Sequence, residues 1–289
     1  MKLITLIKKM NRFINLKYPL ITRKIAKIYI IKHLYRFIVI NFLKANTVKI
    51  DGHKLFLDSE DSLRLSVYGQ FEAFETEVIK KEIKEGDVVL DIGANIGYYA
   101  LIFAKLVGPK GKVFAFEPDP ENFALLNKNI KINEYKNVVL INKAVSNEVG
   151  EIKLYLNEYN KANHQIYPSK NHRKSILIQT TRLDDFFKDY KGKIDFVKID
   201  IEGAEYLAIQ GMSNLLNKNK NIKIITEFYP CWLENFNVKS EEYLKLLSKH
   251  GFKLYNLNKN AVKKTSIPDL SKVYTVRKEN YTNLLCKKS

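Results

Sequence analysis

The spacing of apolar and polar positions changes period several times along the chain, and each change marks an element. Over residues 21–43, Ala26, Ile30, Leu34 and Phe37 recur at helical spacing while Lys24, Lys32 and Arg36 lie on other sides, which predicts a helix of modest amphipathicity. Pro19 separates it from a shorter basic and apolar stretch, Met1–Tyr18, read as a second helix. Thr47–Ile50 and Lys54–Leu57 flank Asp51-Gly52, a dipeptide that supplies the positive φ angles of a tight hairpin turn. From residue 71 onward, short apolar runs alternate with longer helical patterns. Phe71–Lys84 reads as a helix stopped by Gly86, Asp87–Asp91 as a strand, Tyr98–Val107 as a helix ended by Gly108-Pro109, and Lys112–Glu117 as the next strand. Asp119-Pro120 opens another helix as N-cap and first-turn proline. Val138–Asn142, Ile176–Thr180, Phe196–Ile201 and Ile222–Phe228 are further strands, with Ile152–Leu156 as an antiparallel excursion. Helices are expected at Leu183–Phe187, at Ala204–Asn217 and, capped by Ser240, at Glu241–His250. Phe252–Leu257, Val273–Val276 and Tyr281–Cys286 follow as strands no longer separated by helices.

Strands alternating with helices of this length specify an α/β sheet, largely parallel and covered on both faces, with an antiparallel C-terminal edge. Composition then divides the chain. Its 289 residues carry a net charge of +18, which invites a nucleic-acid reading. Residues 1–50, however, hold twelve basic residues and no acid, so the remaining 37 basic and 31 acidic side chains sum to only +6. The excess belongs to a basic helical arm, residues 1–46, ahead of a single domain at 47–289. The arm does not span a bilayer: its longest uncharged run, Phe37–Leu43, is seven residues against the ~20 required. Two readings of residues 1–45 stand, a helix packed on the domain and a peripheral contact with an anionic membrane face. Cys231 and Cys286 form no framework, which suits a reducing, cytoplasmic compartment and argues against structural zinc. His33, His53, His164, His172 and His250 show no paired metal spacing, so no metal is expected.

The chemistry concentrates where strands end. Val88-Val89-Leu90-Asp91 empties into Gly93-Ala94-Asn95-Ile96-Gly97 and a helix, the arrangement of a nucleotide crevice, with Gly93 and Gly97 expected to let a ligand approach the backbone. An acid immediately before the turn repels pyrophosphate but suits an amine or sulfonium. Glu117, at the end of the next strand, is placed to take both hydroxyls of a ribose. Together, Asp91 and Glu117 describe a nucleoside bearing an amino-acid cation.

These residues, with Phe116-Glu117-Pro118-Asp119-Pro120, Lys198-Ile199-Asp200-Ile201-Glu202-Gly203-Ala204-Glu205 and Thr226-Glu227-Phe228-Tyr229-Pro230, resemble the FkbM family of S-adenosylmethionine-dependent methyltransferases. The likeness runs from about Gly69 to Asn258. It takes in the lead-in Gly69-Gln70-Phe71-Glu72 and the segment Thr181-Arg182-Leu183-Asp184-Asp185. It implies a Rossmann-like class I fold with a mostly parallel seven-stranded sheet, S-adenosyl-L-methionine as cofactor, and methyl transfer to a hydroxyl of a sugar, glycan or glycolipid precursor. By position, Asp91, Gly93, Ala94, Asn95, Gly97 and Tyr98 are expected at the methionine portion, with Glu72 shaping that end. Glu117 and Pro118 are expected at the ribose, and the segment from Asn142 through Ala144 to Val145 near the adenine. Asp200 is the first choice for the base that accepts the hydroxyl proton, with Glu202, Glu227 and His164 as helpers or substitutes. A plain alternative has Asp200 and Glu202 capping the following helix, and Glu205 serving structure. If the strand continues past Asp200, Asp200 and Glu202 point to the same side. The irregular stretch Asn157–Ser175 is a candidate acceptor loop. Two other functions remain open: a nucleic-acid methyltransferase anchored by the arm, disfavoured by the acids at the acceptor end, and a non-catalytic methyltransferase-like scaffold.

Overall fold

The structure, a computed structural model, describes residues 46–157, 160–168, 174–258 and 260–288. The two helices expected within residues 1–45, and any membrane contact they make, lie outside the described residues. The first element is the expected hairpin, β1 (Thr47–Ile50) with β2 (His53–Phe56), turning at Asp51 and Gly52 with φ of 50° and 91°. After α1 (Leu65–Tyr68) and α2 (Ala73–Glu82) come β3 (Val88–Ile92), α3 (Tyr98–Val107), β4 (Lys112–Phe116), α4 (Pro120–Ile132) and β5 (Val138–Ile141). Three short strands follow, β6 (Ala144–Val145), β7 (Gly150–Tyr155) and β8 (Ser175–Thr181), forming a small separate sheet in the order β6-β8-β7. Then come α5 (Leu183–Phe186), β9 (Phe196–Ile199), α6 (Glu205–Gln210), α7 (Ser213–Lys218), β10 (Lys223–Phe228), α8 (Pro230–Glu234) and α9 (Ser240–Lys249). The described chain finishes with β11 (Phe252–Asn258), β12 (Ala261–Thr265), α10 (Ile267–Val273) and β13 (Thr282–Lys288).

The main sheet runs β12-β11-β13-β10-β9-β3-β4-β5. Its central block, β10-β9-β3-β4-β5, is parallel, and β13, β11 and β12 pair antiparallel beyond it. Both faces are covered, as a parallel sheet requires. On one face Val89, Phe196, Ile225 and Leu285 pack with the buried side of α3; on the other Leu90, Val197, Ile199 and Ile224 pack with α6, α7 and α9. α3 is buried almost throughout, with Leu101 and Phe103 fully enclosed. Phe103 stacks on Tyr99 and meets Phe196 edge-on.

Several expectations need correction. The sheet has eight strands rather than seven, because Ala261–Thr265 adds an edge strand whose Lys263-Lys264 pattern is too polar to announce itself. Val273–Val276 is not a strand: Val273 ends α10, opened by Ser266 and Pro268, and Val276 begins a 3-10 turn. Ala204–Asn217 breaks between α6 and α7 at Gly211, where an added Cβ would stand 2.0 Å from the Ser146 carbonyl oxygen. Ser240 is the first helical residue of α9 and makes no side-chain cap; Lys239 holds the cap position. Among the described residues, no helix is long and apolar enough to cross a membrane.

Because Phe103 props Tyr99 against the sheet, Phe103→Ala is expected to cost about 3–5 kcal/mol of folding stability. Urea unfolding followed by far-ultraviolet circular dichroism measures it, and an unchanged midpoint contradicts the packing described.

Candidate active site

The turn after β3 is held by the neighbouring strand. Gly93 and Ala94 both donate their amides to the Phe116 carbonyl at 3.0 Å, and Asn95 donates its amide to Glu117 Oε2 at 2.8 Å. Asn95 takes φ of 51°, a left-handed conformation that asparagine accepts more readily than most residues. Gly93 and Gly97 have φ of 86° and 93°. The expectation that their missing Cβ atoms admit a ligand is corrected: a Cβ on Gly93 would stand 2.0 Å from the Asp200 carbonyl oxygen, and one on Gly97 2.7 Å from a Leu126 methyl. These glycines let chain segments meet. Glu117 Oε1 accepts the Asp119 amide at 2.9 Å, and Asp119 caps α4 by accepting from the Asn122 amide.

A cleft of about 610 Å³, counting its open mouth, lies over these strand ends. Gly93, Asn95, Glu117, Pro118, Ala144, His164, Asp200 and Glu202 line it, so eight of the expected site residues share one space. Phe116, Val145, Leu154 and Ile166 supply apolar wall, and Asn122, Lys143, Lys161 and Ala162 also line it. Lys161, Ala162, His164 and Ile166 of the irregular stretch thus line the cleft together with Glu117 and Asn122. Lys161 donates its amide to Ser62 Oγ and pairs through its ammonium with Glu121, and its carbonyl accepts from Asn122. His164 accepts the Asn157 amide on Nδ1 at 2.9 Å, and its Nε2 lies 3.9 Å from Asp119. Nδ1 is thus already engaged in ordering the loop.

Other expected residues stand behind the wall. Asn142 donates its carboxamide to the Glu117 and Pro118 carbonyls at 2.8 and 3.1 Å, bracing the β4 turn. The Tyr98 hydroxyl is used on Phe71, donating to its carbonyl and accepting from its amide. Glu205 closes the loop after β9 by accepting the Ile201 and Gly203 amides, which makes it structural. β9 ends at Ile199, and Glu202 has φ of 58°, so strand alternation does not relate Asp200 to Glu202. Both reach the cleft nevertheless, with Glu202 accepting from the Asn163 carboxamide at 3.0 Å.

The residue that sequence reasoning left without a role is Lys198. It pairs in register with Asp91 across β3–β9, so the two side chains leave the same face. The Lys198 ammonium is buried, 2.8 Å from Asp200 Oδ2 and 4.5 Å from the centre of the Tyr99 ring. The Tyr99 hydroxyl donates to Glu72 Oε2 at 2.9 Å, and Asn283 of β13 donates to Glu72 Oε1 at 3.4 Å. Glu72 thus belongs to the Lys198–Asp200 network and takes the position before α2 at φ of 41°. Two residues beyond the in-register pair Ile225 and Lys198, Glu227 adds a buried oxygen with no hydrogen-bond partner. A lysine in the apolar run Phe196-Val197-Lys198-Ile199 was the available signal.

Burial sets the charge states. It raises Asp91 to about 7, against the opposing pull of Lys198, and Glu117 to about 8, outweighing the amides of Asp119 and Asn95. Burial, reinforced by Asp200, also raises Glu72 and Glu227. Neither Asp91 oxygen has a hydrogen-bond partner, although the residue is fully enclosed directly beneath the Gly93 turn. A buried, unpartnered acid of this kind is stabilised by a cation brought over the turn. The set fits S-adenosylmethionine: Glu117 for the ribose hydroxyls, the Pro118, Ala144, Leu154 and Ile166 wall for a flat base, and the Asp91 charge for the amino-acid cation. Among the described residues, no three His, Cys, Asp or Glu side chains gather as a metal site.

The strand order, the Gly-rich turn and the acids at the ends of β3 and β4 define a class I, S-adenosylmethionine-dependent methyltransferase fold. Residues 91–254, more than half of the chain, match the methyltransferase FkbM domain, and the chain belongs to that family. It is 31% identical over 147 residues to the hexuronic acid methyltransferase AglP of Haloferax volcanii, covering 49% of this chain and 58% of that protein. It is 31% identical over 156 residues to the 2-O-methyltransferase NoeI of Sinorhizobium fredii, covering 48% and 63%. The chain thus spans under two thirds of either relative. A solved structure of methyltransferase FkbM from Methylobacillus flagellatus is similar at 14% identity and a TM-score of 0.43, covering 91% of this chain and 60% of that one.

An acid raised on folding binds a proton in the native state that the unfolded chain has already released, so stability falls as pH rises through that window. For Glu117 the window runs from 4.5 to about 8. The melting temperature of the ligand-free protein is expected to fall from pH 5 to pH 8, and Glu117→Gln to flatten the slope. Differential scanning calorimetry across that range checks it; an equal slope in the variant contradicts the assignment.

Proposed function

We propose that the protein transfers a methyl group from S-adenosylmethionine to a hydroxyl of a sugar, free or within a glycan or glycolipid precursor. The observation that carries this reading is Asp200: its carboxylate lines the cleft, is about one-third exposed and is anchored by the buried Lys198 ammonium. When bound, S-adenosylmethionine supplies a methyl carbon made electrophilic by its sulfonium. Asp200 accepts the proton that the acceptor hydroxyl gives up. Its backbone fixes the geometry, since the Asp200 amide donates to the Ile92 carbonyl at 3.0 Å and its carbonyl rests against Gly93. Lys198 holds one carboxylate oxygen, leaving the other for the acceptor. Positioning of this kind supplies roughly 7–11 kcal/mol of barrier reduction, and a placed base a further ~10²–10⁴-fold.

The sugar acceptor is supported by the names of the two relatives, one acting on a hexuronic acid and one a 2-O-methyltransferase. The charge of the site agrees, because Asp200 and Glu202 line the cleft and repel a phosphate backbone while offering acceptors to sugar hydroxyls. The free thiols of Cys231 and Cys286 support a reducing, cytoplasmic setting.

Asp200→Asn is expected to keep S-adenosylmethionine affinity, read by calorimetry, within about threefold. It is expected to lower transfer of radiolabelled methyl to simple pyranosides by ~10²–10⁴-fold. Unchanged turnover removes Asp200 as the base.

A further inference from the structure

Resting on that sugar reading, we propose that Tyr229, Trp232 and Tyr281 form the platform that holds the acceptor, and that it selects a neutral pyranose. The three rings are contiguous. Tyr229 lies 4.6 Å from Trp232 at 47° and 5.6 Å from Tyr281 at 41°, so they make a shallow, tilted surface rather than a parallel stack. Tyr281 is 58% exposed, and Tyr229 and Trp232 are half-buried, which leaves ring area open to a ligand.

Its place in the fold ties the platform to the reacting end. Trp232 packs so closely on the turn after β9 that a Cβ on Gly203 would stand 2.8 Å from its own Cβ. The same turn carries Asp200 and Glu202 into the cleft. Tyr229 follows Glu227 by two residues, and Glu227 keeps a buried oxygen without a hydrogen-bond partner. The ring cluster therefore adjoins the turn that bears Asp200 and Glu202.

A pyranose matches both. Its C–H face carries slight positive charge and rests on the negative face of an aromatic ring. Its rim of hydroxyls donates to carboxylates. An aliphatic chain uses the rings but offers the carboxylates no hydrogen-bond donor. A uronate meets Asp200 and Glu202 as a like charge, so the surface favours neutral sugars over acidic ones.

Trp232 is the chain's single tryptophan, which makes its emission a direct reporter of this surface. The full chain, saturated with S-adenosylhomocysteine, is titrated with neutral methyl pyranosides, methyl glucuronide and decanol. The expected result is a saturable emission change with at least one neutral pyranoside and at least tenfold weaker binding of the glucuronide. Tyr281→Ala, at an exposed position, should raise the pyranoside KM tenfold or more without altering S-adenosylhomocysteine affinity. Methyl transfer to a pyranoside with unchanged emission, or with an unchanged KM in the variant, overturns the platform and leaves the sugar reading standing. Response to decanol alone overturns it in favour of an apolar acceptor, and preference for the glucuronide overturns the selectivity. If no glycoside binds or accepts methyl, both readings fall.

Discussion

A lysine ammonium sealed inside a sheet is tolerable only when negative charge surrounds it, and the site is built on that condition. Lys198 is 4% exposed, paired to Asp200 and in register with Asp91. Burial alone pulls such an ammonium toward its neutral form, yet its pKa is raised, because Asp200, Asp91 and Glu72 overcome desolvation. Taking away one member of a buried pair typically costs about 3–5 kcal/mol, because the remaining charge has no counterpart. The acids need the lysine as much as the lysine needs them. Asp91 and Asp200 come from adjacent strands and Glu72 from the lead-in to α2, so this one cation joins three segments far apart in sequence.

The same network explains why the site carries more acid than a resting protein easily supports. With one central cation facing Glu72, Asp91 and Asp200, and Glu227 buried among acids, the surplus carboxyls rise toward neutrality and hold protons. A ligand bringing its own positive charge is then favoured over a neutral or anionic one, since it lets those carboxyls ionise. Selectivity for a cationic cofactor thus follows from an electrostatic deficit as well as from direct contacts.

The parallel sheet was readable because its strands are short apolar runs punctuated by Gly and Pro, and the Asp91 and Glu117 strand ends were readable because acids there have a specific chemical meaning. What escaped has physical reasons. β12 is an edge strand facing solvent, so its lysines conceal its period. The break between α6 and α7 answers a close approach of Ser146, a tertiary contact with no local trace. The roles of Lys161, Asn163 and His164 come from an irregular loop held by side-chain hydrogen bonds, which leave no periodicity to read. Gly93 was read as room for a ligand, whereas its space is filled by the protein's own backbone.

The position of β13 has a consequence for biogenesis. This late segment lies between β10 and β11, and Asn283 reaches Glu72 across 211 residues. At synthesis rates of about 5–20 residues per second, roughly 10–40 s separate the emergence of those two side chains from the ribosome. From the end of β10 to the start of β13, 54 residues or roughly 3–11 s at the same rates, the open flank of β10 is an unpaired strand edge, a template for other chains. The nascent protein therefore carries an open sheet edge late in its translation, and shielding by a chaperone matters most just before residues 282–288 arrive.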